Sequence, residues 1–242
     1  MRDWFRFPSQ GFAARDLRAR GFGVCWRAMK IHVLPAGPIE TNAYLLTDAA
    51  RGEAVLIDAP DAVWQDVSPL LEAEGCKLTG LWLTHGHWDH MQGVGPVVRA
   101  SGAKVSAHAA DKIFLETPGV MEVFLPKTIR LEVVKVDHWI AQGDVIEALG
   151  RNWEVRHVPG HCPGSVLFWS AADAVAFCGD AIFNGGVGRT DFPNCGMPQL
   201  ANSIRTQIYT LPDATTLYPG HGPETTVLQE KLHNPSVRPE LV

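Results

Sequence analysis

Residues 84–90 read Thr84-His-Gly-His-Trp-Asp-His90, which places three histidines and an aspartate within six positions. His85, His87, Asp89 and His90 can each offer a ligand atom, and the glycine with the short spacing forces a tight turn. Just before them Leu78-Thr-Gly-Leu-Trp-Leu83 is a short apolar run, the pattern of a buried strand. A rigid strand that ends in imidazole and carboxylate is how a chain presents a metal site. The competing reading is a polar loop that happens to hold histidine, but four ligand residues in six positions have no packing rationale.

Working outward, Met29-Lys-Ile-His-Val-Leu-Pro35 opens a first strand, 31–35, followed by strands at 41–47 and 53–58. A helix is expected over 61–74, with Asp61 as its cap, Val63, Val67, Leu70 and Leu71 at helical spacing, and Gly75 as its stop. After the metal loop come a helix from Gly93 to before Gly102, a strand at 104–107 and a short helix at 111–116. Strands then dominate at 131–136, 144–149, 153–158, 166–170 and 174–178. A helix over 198–210, a strand at 215–218 and a last helix over 224–232 complete the order. This order is compatible with two packed sheets and outer helices.

Four more segments each carry a polar group that follows an apolar run and is flanked by glycine, proline or both. Asp58 closes Ala54-Val-Leu-Ile-Asp58. His157 and His161 lie in His157-Val-Pro-Gly-His-Cys-Pro-Gly-Ser165. Asp180 lies in Phe177-Cys-Gly-Asp-Ala-Ile-Phe183, and His221 in Leu217-Tyr-Pro-Gly-His-Gly-Pro223. Taken singly, each is also a loop histidine, a turn residue or a cap. Together they suggest several strand ends converging on one edge.

The 242 residues suit one large domain or two small ones, and no linker or motif repeat interrupts the chain after Met29. A net charge of −5 argues against a nucleic-acid or anionic-membrane surface. No apolar run approaches the roughly 18 residues that span a bilayer. Five scattered cysteines without a Cys-x-x-Cys pair fit reduced thiols in a cytoplasmic protein. Residues 1–28 differ from the rest: six arginines sit among aromatics and glycines, without the apolar core of a secretory signal. They read as a poorly ordered N-terminal extension, with Met29 as an alternative start and 29–242 as the domain.

The His-x-His-x-Asp-His signature, followed in order by isolated His, Asp and His, resembles the metallo-β-lactamase superfamily over about residues 30–232. The resemblance implies an αββα sandwich, an α/β fold of two mixed sheets with outer helices and a metal site at one edge. It also implies two divalent metal ions, zinc first, with iron or manganese as alternatives. His85, His87 and His161 match the ligands of one ion, Asp89, His90 and His221 those of the other, and Asp180 the carboxylate that bridges both. Asp58 resembles an acid that holds a ligand histidine in its tautomer, and His157 is a second candidate for such a supporting role.

Gly185-Gly-Val-Gly-Arg-Thr-Asp-Phe192 resembles a stretch shared by glyoxalase II-like hydrolases and persulfide dioxygenases. Thr216-Leu-Tyr-Pro-Gly-His-Gly-Pro223 with Leu232-His-Asn-Pro235 is similar to short, single-domain bacterial type II glyoxalases. This implies hydrolysis of a glutathione thioester such as S-lactoylglutathione by a hydroxide bridging the metals, with Asp180, Asp89 and His221 at the catalytic centre. Arg189 aligns with a basic residue that contacts a glutathione carboxylate, and it reads equally as a brace for its own loop.

The chain departs from that pattern in three ways. Only about twenty residues follow His221, too few for the helical C-terminal domain of the longer enzymes. Asp191, Phe192 and Pro223 stand where those enzymes place tyrosines. Gln92 stands where a glycine is common. Alternatives from the same superfamily are a persulfide dioxygenase with one Fe(II) at His85, His161 and Asp180, and a lactonase or β-lactamase-like hydrolase. A metal-binding scaffold without activity is the remaining class.

Overall fold

Strands covered on both faces read as continuous apolar runs, and alternation within each run sends successive side chains to opposite layers. In the computed structural model, which describes residues 15–16, 29–122 and 125–239, that alternation builds two sheets packed face to face. The first contains β1 (Arg15–Asp16), β2 (Lys30–Ala36), β3 (Thr41–Asp48), β4 (Glu53–Ile57), β5 (Lys77–Trp82), β6 (Lys104–His108) and β7 (His138–Ile140), adjacent in chain order. Pairing is antiparallel up to β4 and parallel from β4 to β7.

The second sheet contains β8 (Val145–Ala148), β9 (Arg151–His157), β10 (Val166–Ser170), β11 (Val175–Gly179), β12 (Thr216–Pro219) and β13 (Thr225–Thr226). Only β11 and β12 run parallel.

Tyr44, Leu46, Val55, Ile57 and Trp82 face Trp153, Val155, Phe168, Phe177 and Tyr218 across the inter-sheet core. Their chain neighbours point outward. Ala43, Leu45, Ala54, Leu56 and Leu81 meet a helical layer that includes α1 (Trp64–Glu74), α2 (Trp88–Met91) and α3 (Val94–Ser101). Beyond it lie the short helices α4 (Lys112–Glu116) and α5 (Gly119–Glu122). Leu167, Ala176, Cys178 and Leu217 meet α6 (Met197–Ser203) and α7 (Val227–His233) on the other side. The layers are therefore helix, sheet, sheet, helix.

A partly buried ionic clasp joins the sheets at the end away from the strand tips that matter below. Arg151 places its Nε 2.8 Å from Asp173 and Nη1 3.4 Å from Asp48, the last residue of β3.

The sequence expectations need correction in three places. Residues 131–136 alternate like a strand but form none. Val134 and its partly buried neighbours Leu131 and Val136 pack on the helical layer, where no strand is available to pair with them. The edge strand is β7 instead. Asp61 does not cap α1, because Ala62 adopts φ 61°, a left-handed turn that delays the helix to Trp64. The helix expected over 198–210 ends at Ser203 and passes into a π-type turn at Ile204–Ile208.

Of the extension before Met29, only Arg15–Asp16 are described, paired to β2; the expectation for the rest of 1–28 lies outside the described residues. Cys76, Cys162, Cys178 and Cys195 carry free thiols. Among the described residues no helix is long and apolar enough to cross a membrane.

Phe177 is fully buried between the sheets, with its ring centroid 5.1 Å from that of Tyr218. Phe177→Ala is expected to cost about 3–5 kcal/mol by loss of burial and creation of a cavity. Urea unfolding reads this directly, and an unchanged midpoint would show that the two sheets do not depend on this contact.

Candidate metal centre

Parallel neighbours in register end at the same edge, and this brings the polar tips together. Ile57 pairs with Trp82 at the ends of β4 and β5, so Asp58 and the 84–90 loop emerge side by side. Gly179 pairs with Pro219 at the ends of β11 and β12, which does the same for Asp180 and His221. His161 arrives from the loop after β9. The structure therefore gathers all seven residues that the sequence proposed as ligands. Six are buried and His221 is partly exposed.

Two groups of side chains form. His85 Nε2, His87 Nδ1 and His161 Nε2 make a triangle with sides of 3.1, 2.9 and 3.3 Å. In the second group, His90 Nε2 and His221 Nε2 each lie 3.3 Å from Asp89 Oδ2. Asp180 stands between the groups: its Oδ1 is 3.3 Å from His90, and its Oδ2 is 3.5 Å from His161 and 3.6 Å from His221.

Hydrogen bonds around the triangle fix the tautomers of His85 and His161. Thr84 donates its hydroxyl to Asp58 Oδ2 at 2.7 Å, so its oxygen accepts from His85 Nδ1 at 3.1 Å. His161 Nδ1 donates to the carbonyl of Arg189 at 2.7 Å. Both Nε2 atoms are therefore left as lone pairs that face each other. Burial, with the neighbouring imidazoles, holds His85 well below the usual imidazole range, and burial with His161 brings His87 down to about 3. Neutral imidazoles that point lone pairs at one spot are what a cation requires. Ligands of a tetrahedral ion with bonds of about 2.0–2.1 Å stand about 3.3 Å apart, close to the observed spacing.

The second group is rich in negative charge. Burial works against ionisation, yet His90 and the side chain of His221 bring Asp89 down to about 2. His221 and His90 likewise hold Asp180 well below the carboxylate range. His90 resists charge through burial, but Asp89, Asp58 and Asp180 together raise it well above the imidazole range. His90 Nε2 and Asp180 Oδ1 are buried without a hydrogen-bond partner, since their 3.3 Å separation lacks hydrogen-bond alignment. A buried polar atom left unpaired is costly, and a cation between them removes that cost. The donor set therefore fits divalent metal. Its imidazoles and carboxylates do not select among zinc, iron and manganese.

Asp58 supports the centre. Its carboxylate accepts from Thr84 N at 2.8 Å, from Thr84 Oγ1, and from His90 Nδ1 at 2.7 Å, which turns His90 Nε2 inward. His157 sits farther out: its Nε2 donates to the Pro163 carbonyl at 2.8 Å and its ring stacks on His108. It thus braces the loop of His161 without meeting that residue's ring. Arg189 is exposed and forked onto Asp191 at 2.7 and 2.8 Å, with its guanidinium 4.3 Å from the Phe192 ring. Gln92 carries a buried amide oxygen without a partner; nothing in the structure explains it.

Sequence reasoning missed two supports. Thr41 donates to Asp89 Oδ2 at 2.8 Å. Buried Asp111 accepts from Gly86 N at 2.8 Å, Gly164 N at 2.6 Å and Cys162 Sγ at 3.1 Å, and so ties the metal loop to the His161 loop. Neither residue sits in a recognisable motif. Two glycines are required by close approach: a Cβ at Gly220 would collide with the Asp180 carboxylate and the His90 ring, and one at Gly188 with the Asp180 carbonyl and the His161 ring.

Residues 36–221 match a family model described as the metallo-beta-lactamase superfamily. The chain is 34% identical over 211 residues to hydroxyacylglutathione hydrolase GloC of Haemophilus influenzae, covering 86% of this chain and 97% of that protein. Among solved structures it is similar to the B3 metallo-beta-lactamase BLEG-1, with TM-score 0.79, 33% identity and coverage of 85% and 98%. It is also similar to TTHA1623 in a di-iron-bound form, with TM-score 0.73, 32% identity and coverage of 84% and 98%.

Asp58→Asn removes the anionic acceptor from His90. Metal affinity is expected to fall about 10–100-fold, the usual cost of losing a group that orients a ligand. Competition with a chelating dye measures it; unchanged affinity would sever Asp58 from the centre.

Proposed function

The chain belongs to the metallo-β-lactamase superfamily, and within it we propose a two-metal hydrolase of thioesters, with hydroxyacylglutathione thioesters as the substrate class. The observation that carries this reading is the position of Asp180 between two complete ligand groups, within 3.3–3.6 Å of His90, His161 and His221. We assign His85, His87 and His161 to one cation, Asp89, His90 and His221 to the other, and Asp180 to both. Bound divalent ions supply Lewis acidity, lowering the pKa of coordinated water and polarising an acyl carbonyl.

The chain's own residues set the conditions for that chemistry. Asp89 and Asp180 offset the charge of two cations. Asp58 and Thr84 hold His90 and His85 in the tautomers that present Nε2. Phe192, 4.7 Å from the His87 ring, and Phe183, 5.9 Å from the His221 ring, flank the two groups with apolar surface. Arg189 offers a planar fork suited to a substrate carboxylate, which displaces Asp191 from it. A thiolate, whose acid has a pKa of about 8.5, departs without a strong general acid, and this favours a thioester over an amide.

The similarity to a hydroxyacylglutathione hydrolase supports the substrate class. The similarity to a di-iron-bound protein keeps iron beside zinc and manganese as the metal. A single-iron oxygenase would need only His85, His161 and Asp180. That reading leaves Asp89, His90 and His221 as a largely buried polar group without a purpose, whereas the two-metal reading uses every member.

Metal analysis of the purified protein is expected to find two divalent ions per chain, together with hydrolysis of S-lactoylglutathione followed by thiol release. Asp180→Ala is expected to lower kcat/KM more than about 100-fold, beyond the usual cost of losing an outer support, and to reduce bound metal. A metal-loaded, active Asp180→Ala protein would end the two-metal reading. Oxygen uptake on a persulfide, or faster turnover of lactones or β-lactams, would replace the thioester.

Arg189→Ala is expected to raise KM for glutathione thioesters about 10-fold with kcat retained, the effect of losing one charged contact of about 1.5 kcal/mol. An unchanged KM would leave Arg189 as a brace for its loop.

A further inference from the structure

The Leu232-His-Asn-Pro235 stretch lies on the far side of the second sheet, at the end of α7, and touches none of the proposed ligands. Its Asn234 is fully buried, as is Glu230 one turn earlier, and the two side chains bond to each other at 2.8 Å. Glu230 takes the hydroxyl of Thr225 at 2.6 Å and the amide of Gly185 at 3.1 Å. Asn234 Nδ2 also donates to the Gly186 carbonyl at 3.0 Å, while its Oδ1 accepts from Ser236 N and Val237 N. Each hydrogen-bond partner of the Glu230 carboxylate is a donor, an arrangement that an acceptor satisfies.

These bonds reach both loops that carry ligands from the second sheet. Thr225 stands four residues beyond His221. Gly185 and Gly186 form the tip of the turn that leaves Asp180, closed by Phe183 N to Gly186 O at 2.9 Å, and that turn sets the Phe183 ring 5.9 Å from His221. Asn184 Nδ2 joins the two loops directly through the Glu224 carbonyl at 3.1 Å. Past the turn, Gly188 N returns to the Asp180 carbonyl at 3.0 Å, and the Arg189 carbonyl receives His161 Nδ1. One buried pair, Glu230 on α7 and Asn234 just past its end, thus anchors a loop whose two ends touch Asp180 and His161, and a second loop that carries His221.

We infer that Glu230 and Asn234 are positioning residues of the metal centre: they set the Asp180 loop against the His221 loop and so fix how the two ligand groups share Asp180. The inference rests on the two-metal reading of the site and not on the identity of the substrate. The pair lies behind the second sheet and contacts neither substrate nor metal, so its effect passes through the backbone of residues 183–189 and 222–226.

The test uses full-length protein loaded with Co(II), whose visible absorption reports ligand geometry, and with the native metal for turnover. Glu230→Gln keeps size but turns one acceptor into a donor that faces donors. Asn234→Ser keeps a short polar side chain at the chain turn and cuts the reach to Gly186. Each is expected to shift the Co(II) spectrum, to weaken the second equivalent of metal about 10-fold or more, and to lower kcat about 10–100-fold with KM within about 3-fold, as changes in supports of ligands do.

A role in stability alone predicts a lower unfolding midpoint with wild-type spectrum, metal titration and kcat in the folded fraction; that result overturns the inference. If Glu230→Gln does not yield folded protein, Asn234→Ser decides on the same readings. Failure of Asn234→Ser to fold as well assigns the pair to stability and also overturns it. A wild type that takes up only one equivalent of Co(II) removes the two-metal reading itself, an outcome separate from unaltered variants of a two-metal wild type.

Discussion

Asp58 adopts φ 59°, a left-handed conformation that costs a residue with a side chain on the order of 1–3 kcal/mol when surroundings impose it. Three hydrogen bonds to its carboxylate, two from Thr84 and one from His90, hold it there. The same backbone turn sends Asp58 N to the Trp82 carbonyl, so the ends of β4 and β5 are fastened before the ligand loop begins. From this one carboxylate follow the direction of His90 Nε2, the tautomer of His85 through Thr84, and the point from which residues 85–90 depart. The remainder of the edge is arranged around that fixed corner.

A second constraint is electrostatic. Six buried polar side chains and the partly exposed His221 are packed within contact of one another, which is unfavourable in a low-dielectric interior unless charge and lone pairs are matched. The two groups meet this differently. In the histidine triangle, burial and neighbouring imidazoles keep His85 and His87 neutral, so that lone pairs are exposed there. The second group holds carboxylates ionised beside His90 and His221. The resulting edge accepts positive charge at two places, and Asp180, reaching both, couples them.

Support for the centre is distributed over both sheets. Thr41 comes from the start of β3, Asp111 from the loop after β6, and Glu230 with Asn234 from the last helix. Each holds a loop through backbone amides or a hydroxyl. Close approach of backbones does the rest, which is why Gly188 and Gly220 lack side chains. The large inter-sheet core and the Arg151 clasp at the opposite end provide the rigid platform against which these short loops are held.

The sequence by itself determined which seven polar residues gather and the kind of edge they occupy. His85, His87, Asp89 and His90 are close in the chain, and His161, Asp180 and His221 each follow an apolar run beside glycine or proline. Chemistry that is local, or that stands at the end of a strand, leaves a local mark. Most strands were legible for the same reason, through continuous apolar runs.

What only the tertiary structure decided depends on pairing across distance. Residues 131–136 carry a strand pattern without a strand to join, and Ala62 turns the chain before Asp61 can cap a helix. Asp111 is an unremarked residue at a helix start until Gly86 and Gly164, 25 and 53 positions away, donate to it. Arg189 reads in the sequence equally as a carboxylate contact and as a loop brace, and only the fold shows it forked onto Asp191. Hydrogen bonds of this kind join residues whose spacing in the chain carries no period, so the sequence shows the donor and the acceptor, and only folding shows that they meet.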